Sequence, residues 1–137
     1  MKAAHFYVLL PLLAAAQSGL ALAGILAPLS SYSAGQVIFG LAKVFSMVWM
    51  GWSLSGLGLK KVAGKGALAS LIAVMVVSSF SLVGNAMKRP VLGIPIPSVY
   101  FLPFILALFC IENIIILAFF AVIGAWVAKR IKKPGRR

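Results

Sequence analysis

Uninterrupted apolar runs, each long enough to cross a bilayer as a helix, occupy most of this chain. Hydrophobic residues make up 63% of its 137 residues, and the mean hydropathy is +1.11. A soluble domain of this size could not bury so much apolar surface. A membrane β-barrel would need alternating apolar and polar residues, whereas these runs are continuously apolar. The sequence therefore predicts an all-α polytopic membrane protein that forms a single integral membrane domain.

Four transmembrane helices are predicted, at residues 1–29, 36–59, 67–87 and 98–128, followed by a basic tail at 129–137. The first run also has the features of a signal peptide, because Ala21-Leu22-Ala23 is a small-x-small cleavage site before Gly24. Cleavage there would leave three spans. The last run exceeds the length that a span requires, so we expect one tilted helix, with a hairpin turning near Glu112 as the alternative.

The charges are unbalanced and cluster at the ends of the apolar runs. There are 13 Lys and Arg residues against one acidic residue. Bases next to apolar runs typically anchor a chain to anionic lipid headgroups, at about 1 kcal/mol each, rather than binding nucleic acid directly. The residues assigned to headgroup contact are Lys60, Lys61, Lys65, Lys129, Arg130, Lys132 and Lys133. The positive-inside rule then predicts that both termini of a four-span chain are cytoplasmic, in the cytoplasmic (inner) membrane.

Two charges, Lys43 and the single acid Glu112, lie well inside apolar runs. Charged side chains at membrane depth usually face a partner or a water-filled cavity. One interpretation is an ion pair between Lys43 and Glu112. The other is that Lys43 extends toward the interface alone, while Glu112 is protonated or bonds another subunit.

Motifs for catalysis or cofactor binding are not found in the sequence. The chain has one cysteine, Cys110, and lacks an HExxH motif, a phosphate-binding loop and a nucleophile elbow. We therefore expect no enzymatic activity, metal or cofactor. A membrane subunit of a larger complex fits best; the alternatives are a small oligomeric transporter or channel using Glu112, or an accessory subunit of another complex, such as a respiratory one.

A proline-rich hinge precedes the last apolar run and contains Arg89, Pro90, Gly93 and Pro95. Prolines at this density break a helix and favour extended backbone. The Arg-Pro and Gly-Ile-Pro steps resemble the signature of the small inner-membrane subunit of type IV secretion and conjugation systems. An apolar membrane segment follows the signature in that family, as it does here.

The N-terminal part resembles the pilin family of the same systems in its layout. Both have a signal-like start followed by two apolar helices joined by a short basic loop, here with Lys60, Lys61 and Lys65. In those pilins the loop lies beside bound phospholipid. The two resemblances imply a non-enzymatic subunit with other membrane subunits, anionic lipids and a secretion ATPase as partners.

Overall fold

Four α-helices make up most of the part of the chain that the structure describes. The structure is a computed structural model that describes residues 4–93 and 102–132, and within these ranges there is no β-strand. Each helix is long and apolar enough to cross a membrane, which confirms the predicted all-α membrane fold with four spans. The helices are α1 (Ala4–Leu22), α2 (Ala34–Ser53), α3 (Leu59–Ala86) and α4 (Leu102–Ile131).

The helix boundaries differ clearly from the predicted ones at three places. Helix α2 ends at Ser53 rather than at residue 59. Helix α1 ends at Leu22 rather than near residue 29, because Gly24 adopts a left-handed backbone conformation (φ 76°) that stops the helix. Helix α3 begins at Leu59, eight residues earlier than the predicted third span. The basic segment that was predicted to be a loop is therefore helical, since a helix can continue beyond the apolar part of its sequence. From Leu102 onward, the last run forms one helix and not a hairpin.

The helices pack as a ring in which α1 and α4 occupy opposite positions. Helix α1 packs against α3 and α2, α4 packs against α2 and α3, and the contact between α2 and α3 is marginal. A bond of 3.1 Å from Lys132 Nζ to Ser55 Oγ joins the end of α4 to the α2–α3 turn, at what we call the basic end. At the opposite hinge end, Leu29 N donates to Val91 O at 2.8 Å.

Small residues bring α2 and α4 into unusually close contact in the half nearer the basic end. A Cβ atom added to Gly51 would lie 1.8 Å from Ala121 O, and one added to Gly124 would lie 2.0 Å from Val48 O. The two helices thus place a glycine against each other's backbone. Such close approach of small residues is a common way for membrane helices to pack where there is no hydrophobic driving force.

Spacings of three or four residues define the buried faces of the helices, as expected for one side of an α-helix. The main buried apolar residues are Phe6, Leu10 and Ala14 of α1, Met47 and Met50 of α2, Ala69, Ala73 and Val77 of α3, and Leu117, Ala121 and Ala125 of α4. Because α1 and α4 do not pack against each other, a gap remains between them at the hinge end. The candidate functional site lies in that gap.

Candidate functional site

A cluster of three polar side chains joins α1 to α2 near the hinge end. Lys43 Nζ donates a hydrogen bond to Gln17 Oε1, and Gln17 Nε2 donates to Gln36 Oε1. Gln36 Nε2 in turn donates to the backbone carbonyl of Ala27 in the α1–α2 loop. Gln17 and Gln36 are both buried. The cluster thus satisfies amide groups that would be costly to leave unpaired in an apolar interior.

The charge on Lys43 sets the direction of every bond in the cluster. An ammonium group has three donors and no acceptor, so the atom of Gln17 that faces it must be the carbonyl oxygen. The amide nitrogen of Gln17 is therefore directed at Gln36 Oε1, and the Gln36 amide nitrogen is left to donate to Ala27 O. The chain of bonds runs from the cation to a backbone carbonyl without a carboxylate.

Lys43 reaches toward the hinge end of the bundle. Its Cα lies about 14 Å along α2 from Ala34, at 1.5 Å per residue. Its Nζ, however, bonds the side chain that also bonds Gln36, which lies in the first turn of α2. Extension toward the interface is expected of a lysine in a membrane helix, but here Lys43 bonds Gln17, a partner that neither interpretation of the sequence included.

A pocket of about 430 Å³ lies beside this cluster, between α1, α2 and α4. We call it the Lys43 pocket. Its polar lining includes Gln17, Gln36, Lys43 and Asn113, and the loop residues Ser30, Ser31 and Tyr32 also line it. The apolar lining residues are Leu29, Val37, Val44, Phe109, Ile116 and Leu117. This volume is within the range of small-molecule sites.

Glu112 does not face the Lys43 pocket. It lies on the exposed face of α4 together with Leu108, Ile111 and Ile115. Its neighbour Asn113 instead lines the pocket and donates from Nδ2 to Phe109 O at 2.8 Å. In the structure, the partner of Lys43 is therefore Gln17 and not Glu112, the partner in the predicted ion pair.

The hinge closes the end of α3 and packs against the α1–α2 loop. Lys88 N donates to Asn85 O at 3.1 Å and Arg89 N donates to Gly84 O at 2.7 Å, with Lys88 in the left-handed conformation (φ 57°). These two bonds form a Schellman motif, in which glycine is usual at the left-handed position.

Beyond this cap, the backbone of the hinge is held closely. Pro90 is half-buried, and Val91 is buried. Gly93 (φ 78°) lies so near the α1–α2 loop that an added Cβ would be 2.5 Å from Ser30 Oγ. Arg89 is exposed, and Pro95 lies outside the described residues. The hinge residues that are described thus make contacts within the chain.

The predicted headgroup contacts come together at the basic end. Lys60, Lys61 and Lys65 lie in the first two turns of α3, and Lys129, Arg130 and Lys132 lie at the end of α4. Lys133 is outside the described residues. Lysines in the first turns of a helix oppose its dipole, and no acidic residue lies in those turns of α3. Anionic headgroups would offset that repulsion.

Three residues of the site were not identified from the sequence: Gln17, Gln36 and Asn113. The available signal was the isolated polar residue within or at the start of an apolar run. That signal shows that a residue needs a partner, but not which partner it has. Gln17 and Lys43 are 26 positions apart, so only the packing of α1 on α2 brings them together.

Comparison with protein-family models, with characterised proteins and with solved structures found no match to this chain.

Proposed function

We propose that this chain is a non-enzymatic integral membrane subunit of a multiprotein complex, and that it binds a partner membrane protein through the face of α4 around Glu112. The observation that carries the proposal is the exposure of this carboxylate well inside an apolar helix. A charged residue at the centre of a membrane helix costs about 2.5–3.5 kcal/mol on insertion scales. Such residues almost always face protein or water, so an exposed one indicates a missing neighbour.

The partner should present a hydrogen-bond donor or a cation at the depth of Glu112. Glu112 lies about 15 Å along α4 from Leu102 and about 25 Å from Lys129, at 1.5 Å per residue. In a second copy in the same orientation, the bases of the last turn of α4 would lie about 25 Å along the helix axis from Glu112 of the first copy. Lys43, the other charge well inside an apolar run, is bonded to Gln17 inside the bundle. In that orientation, no cation among the described residues of a second copy is placed to reach Glu112, which favours a different protein.

The apolar residues around Glu112 support a helix as the contacting element. Leu108, Ile111, Ile115 and Phe119 are each more than half exposed and follow the same side of α4. Their spacing of three to four residues is that of one helix face. Apolar anchors with one polar group between them are typical of helix pairs in membranes, where a single hydrogen bond fixes the register.

The kind of complex is proposed from the hinge resemblance. The Arg89-Pro90 step followed by Gly93 resembles the small inner-membrane subunit of type IV secretion and conjugation systems, which favours other subunits of such a system and its secretion ATPase as partners. In this arrangement the basic end faces the cytoplasm, where anionic headgroups meet Lys60, Lys61, Lys65 and the bases at the end of α4.

Site-specific photo-crosslinking in the native host tests the proposal. A photoreactive residue replaces Ile115, on the Glu112 face, and in a control it replaces Ile38, an exposed residue of α2. We expect a crosslinked membrane protein from position 115 but not from position 38, and we expect Glu112→Leu to abolish it. Mass spectrometry identifies the product. Equal crosslinking from both positions would overturn the assignment of this face.

The identity of the crosslinked protein separates the candidate complexes. A secretion subunit or ATPase partner supports the proposed system, whereas redox subunits would place the chain in a respiratory complex. Crosslinked dimers of this chain alone would overturn the hetero-complex and favour the transporter alternative. In that case, proton or substrate flux in liposomes should be lost in Glu112→Gln, and undiminished flux would remove Glu112 from any transport mechanism.

A further inference from the structure

The Lys43 pocket carries a positive charge that no acidic group of the chain offsets. The structure gives Lys43 Nζ one acceptor among the described residues, Gln17 Oε1, although an ammonium group has three donors. The neighbouring amides cannot supply a carboxylate, and Glu112, the only acid in the chain, lies on the exposed face of α4. The pocket therefore has the electrostatic character of an anion site.

The remaining lining gives the pocket a second, apolar character. Phe109, Ile116 and Leu117 of α4 form one wall, and Val37 and Val44 of α2 form another. Val37 is 48% exposed and Ile116 is 44% exposed, so the rim of the pocket on these two helices faces the lipid. A ligand could thus reach the pocket from within the bilayer and keep its apolar part against these walls.

The position of the charge matches the depth of a lipid headgroup. Lys43 is linked through Gln17 to Gln36 in the first turn of α2, and the loop residues Ser30, Ser31 and Tyr32 line the same pocket. Tyr32 is 99% exposed. An anionic head near Lys43 would therefore lie at the interface, with hydroxyl groups nearby, while an acyl chain would extend toward the bilayer centre along α2 and α4.

We propose that the Lys43 pocket binds an anionic amphiphile from the surrounding membrane, with its phosphate or carboxylate on Lys43 Nζ and its acyl chain in the groove between α2 and α4. The two chemical sources are an anionic phospholipid and a free fatty acid. This inference does not depend on the proposed function, because Glu112 and the apolar residues assigned to its face do not line the pocket. It differs also from the headgroup contacts of the basic end, which lie at the other end of the bundle.

Filling the pocket at Gly40 tests the proposal without altering the polar cluster. Gly40 lines the pocket, and a Cβ added there meets no atom within 4 Å. In Gly40→Leu the new side chain should therefore occupy ligand space while the helix is retained, since leucine favours helix more than glycine does. Gly64→Leu is the matched control, because Gly64 also has open space around it and lies near the basic end.

Native mass spectrometry of the purified full-length chain in detergent, titrated with dioleoyl phosphatidylglycerol or with oleate, counts the bound molecules. We expect the wild type and Gly64→Leu to retain one more anionic amphiphile than Gly40→Leu and Lys43→Met. Retention of phosphatidylglycerol alone assigns a phospholipid, and retention of oleate alone assigns a fatty acid; either supports the site.

Three outcomes would overturn the proposal. The first is equal retention by wild type and a folded Gly40→Leu variant, as judged by circular dichroism. The second is retention of zwitterionic dioleoyl phosphatidylcholine that depends on Lys43 as strongly as retention of phosphatidylglycerol does. Such a result would show that the negative charge of the ligand has no role. The third is thermal stabilisation by inorganic phosphate alone to the same extent as by phosphatidylglycerol, which would remove the role of the acyl chain.

Discussion

Gly51 of α2 lies directly against the carbonyl of Ala121 in α4, at a separation that leaves no room for a side chain. An added Cβ atom would be 1.8 Å from that oxygen. The neighbouring contact is reciprocal, because Gly124 of α4 meets the backbone of Val48 in α2. This double contact fixes α2 against α4 near the basic end, and the Lys43 pocket lies farther along the same pair of helices.

Gly51→Ala should destabilise the protein strongly. The methyl group would push α4 away from α2, and overpacking of this kind typically costs about 1–3 kcal/mol, or more where backbone must move. Reversible unfolding in mixed micelles, followed by tryptophan fluorescence, measures the loss. Gly64→Ala is the control and should be neutral or stabilising, since its added Cβ meets open space. Similar losses in the two variants would contradict the close contact.

Substitutions at Lys43 and Gln17 should be energetically coupled. Each single change, Lys43→Met or Gln17→Leu, leaves part of the buried cluster without its partner, whereas the double change removes both groups together. We expect a coupling energy of about 0.5–3 kcal/mol in a double-mutant cycle. The cycle of Lys43→Met with Glu112→Gln is the control and should be additive within about 0.5 kcal/mol. The opposite pattern would restore the ion pair of Lys43 with Glu112.

Two helix caps of the same type should respond in opposite directions to substitution. Lys88 occupies a left-handed position (φ 57°), so Lys88→Gly should stabilise the protein by about 0.5–1 kcal/mol through relief of backbone strain. Gly24 occupies the equivalent position after α1 (φ 76°), where Gly24→Ala should cost about 1 kcal/mol. An added Cβ at Gly24 meets nothing within 4 Å, so this cost would come from the backbone alone. Thermal melts of both variants provide the measurement, and shifts of equal sign would refute the shared cap.

Glu112→Leu should separate the stability of the isolated chain from its association. In the purified chain the substitution removes a carboxylate from an exposed apolar face, so unfolding stability should be unchanged or higher. In the native host the same substitution should reduce co-isolation of the crosslinked partner at least tenfold. Leu108→Ala is the control, since it removes apolar contact area from the same face of α4 but keeps the carboxylate. A large loss of stability in purified Glu112→Leu would show that the carboxylate has a partner within the chain.

Much of the fold could be predicted because membrane insertion depends on local composition. The apolar runs predicted the positions of all four helices, and the bases flanking them predicted the basic end. In the structure, the hydrogen bond from Lys132 to Ser55 joins α4 to the α2–α3 turn at this end. The starting point of α3 was misplaced by eight residues, because lysines mark the end of an apolar run rather than the end of a helix. The hinge was recognised from its prolines, but its contact with the α1–α2 loop was not.

The sequence by itself located four apolar segments long enough to cross a membrane as helices, and it identified Lys43 and Glu112 as charges inside such segments. The rotation of each helix about its axis was decided only by the tertiary structure. Neighbouring residues of a helix point about 100° apart, and α4 is apolar on every side, so its sequence does not say whether Glu112 or Asn113 faces inward. The close packing of α2 on α4 at Gly51 and Gly124 turns Asn113 into the pocket and leaves Glu112 outside. The physical reason is that the transfer of an apolar helix face into hydrocarbon is equally favourable for every such face. Close backbone contact with α2, by contrast, is possible at only one rotation of α4 about its axis.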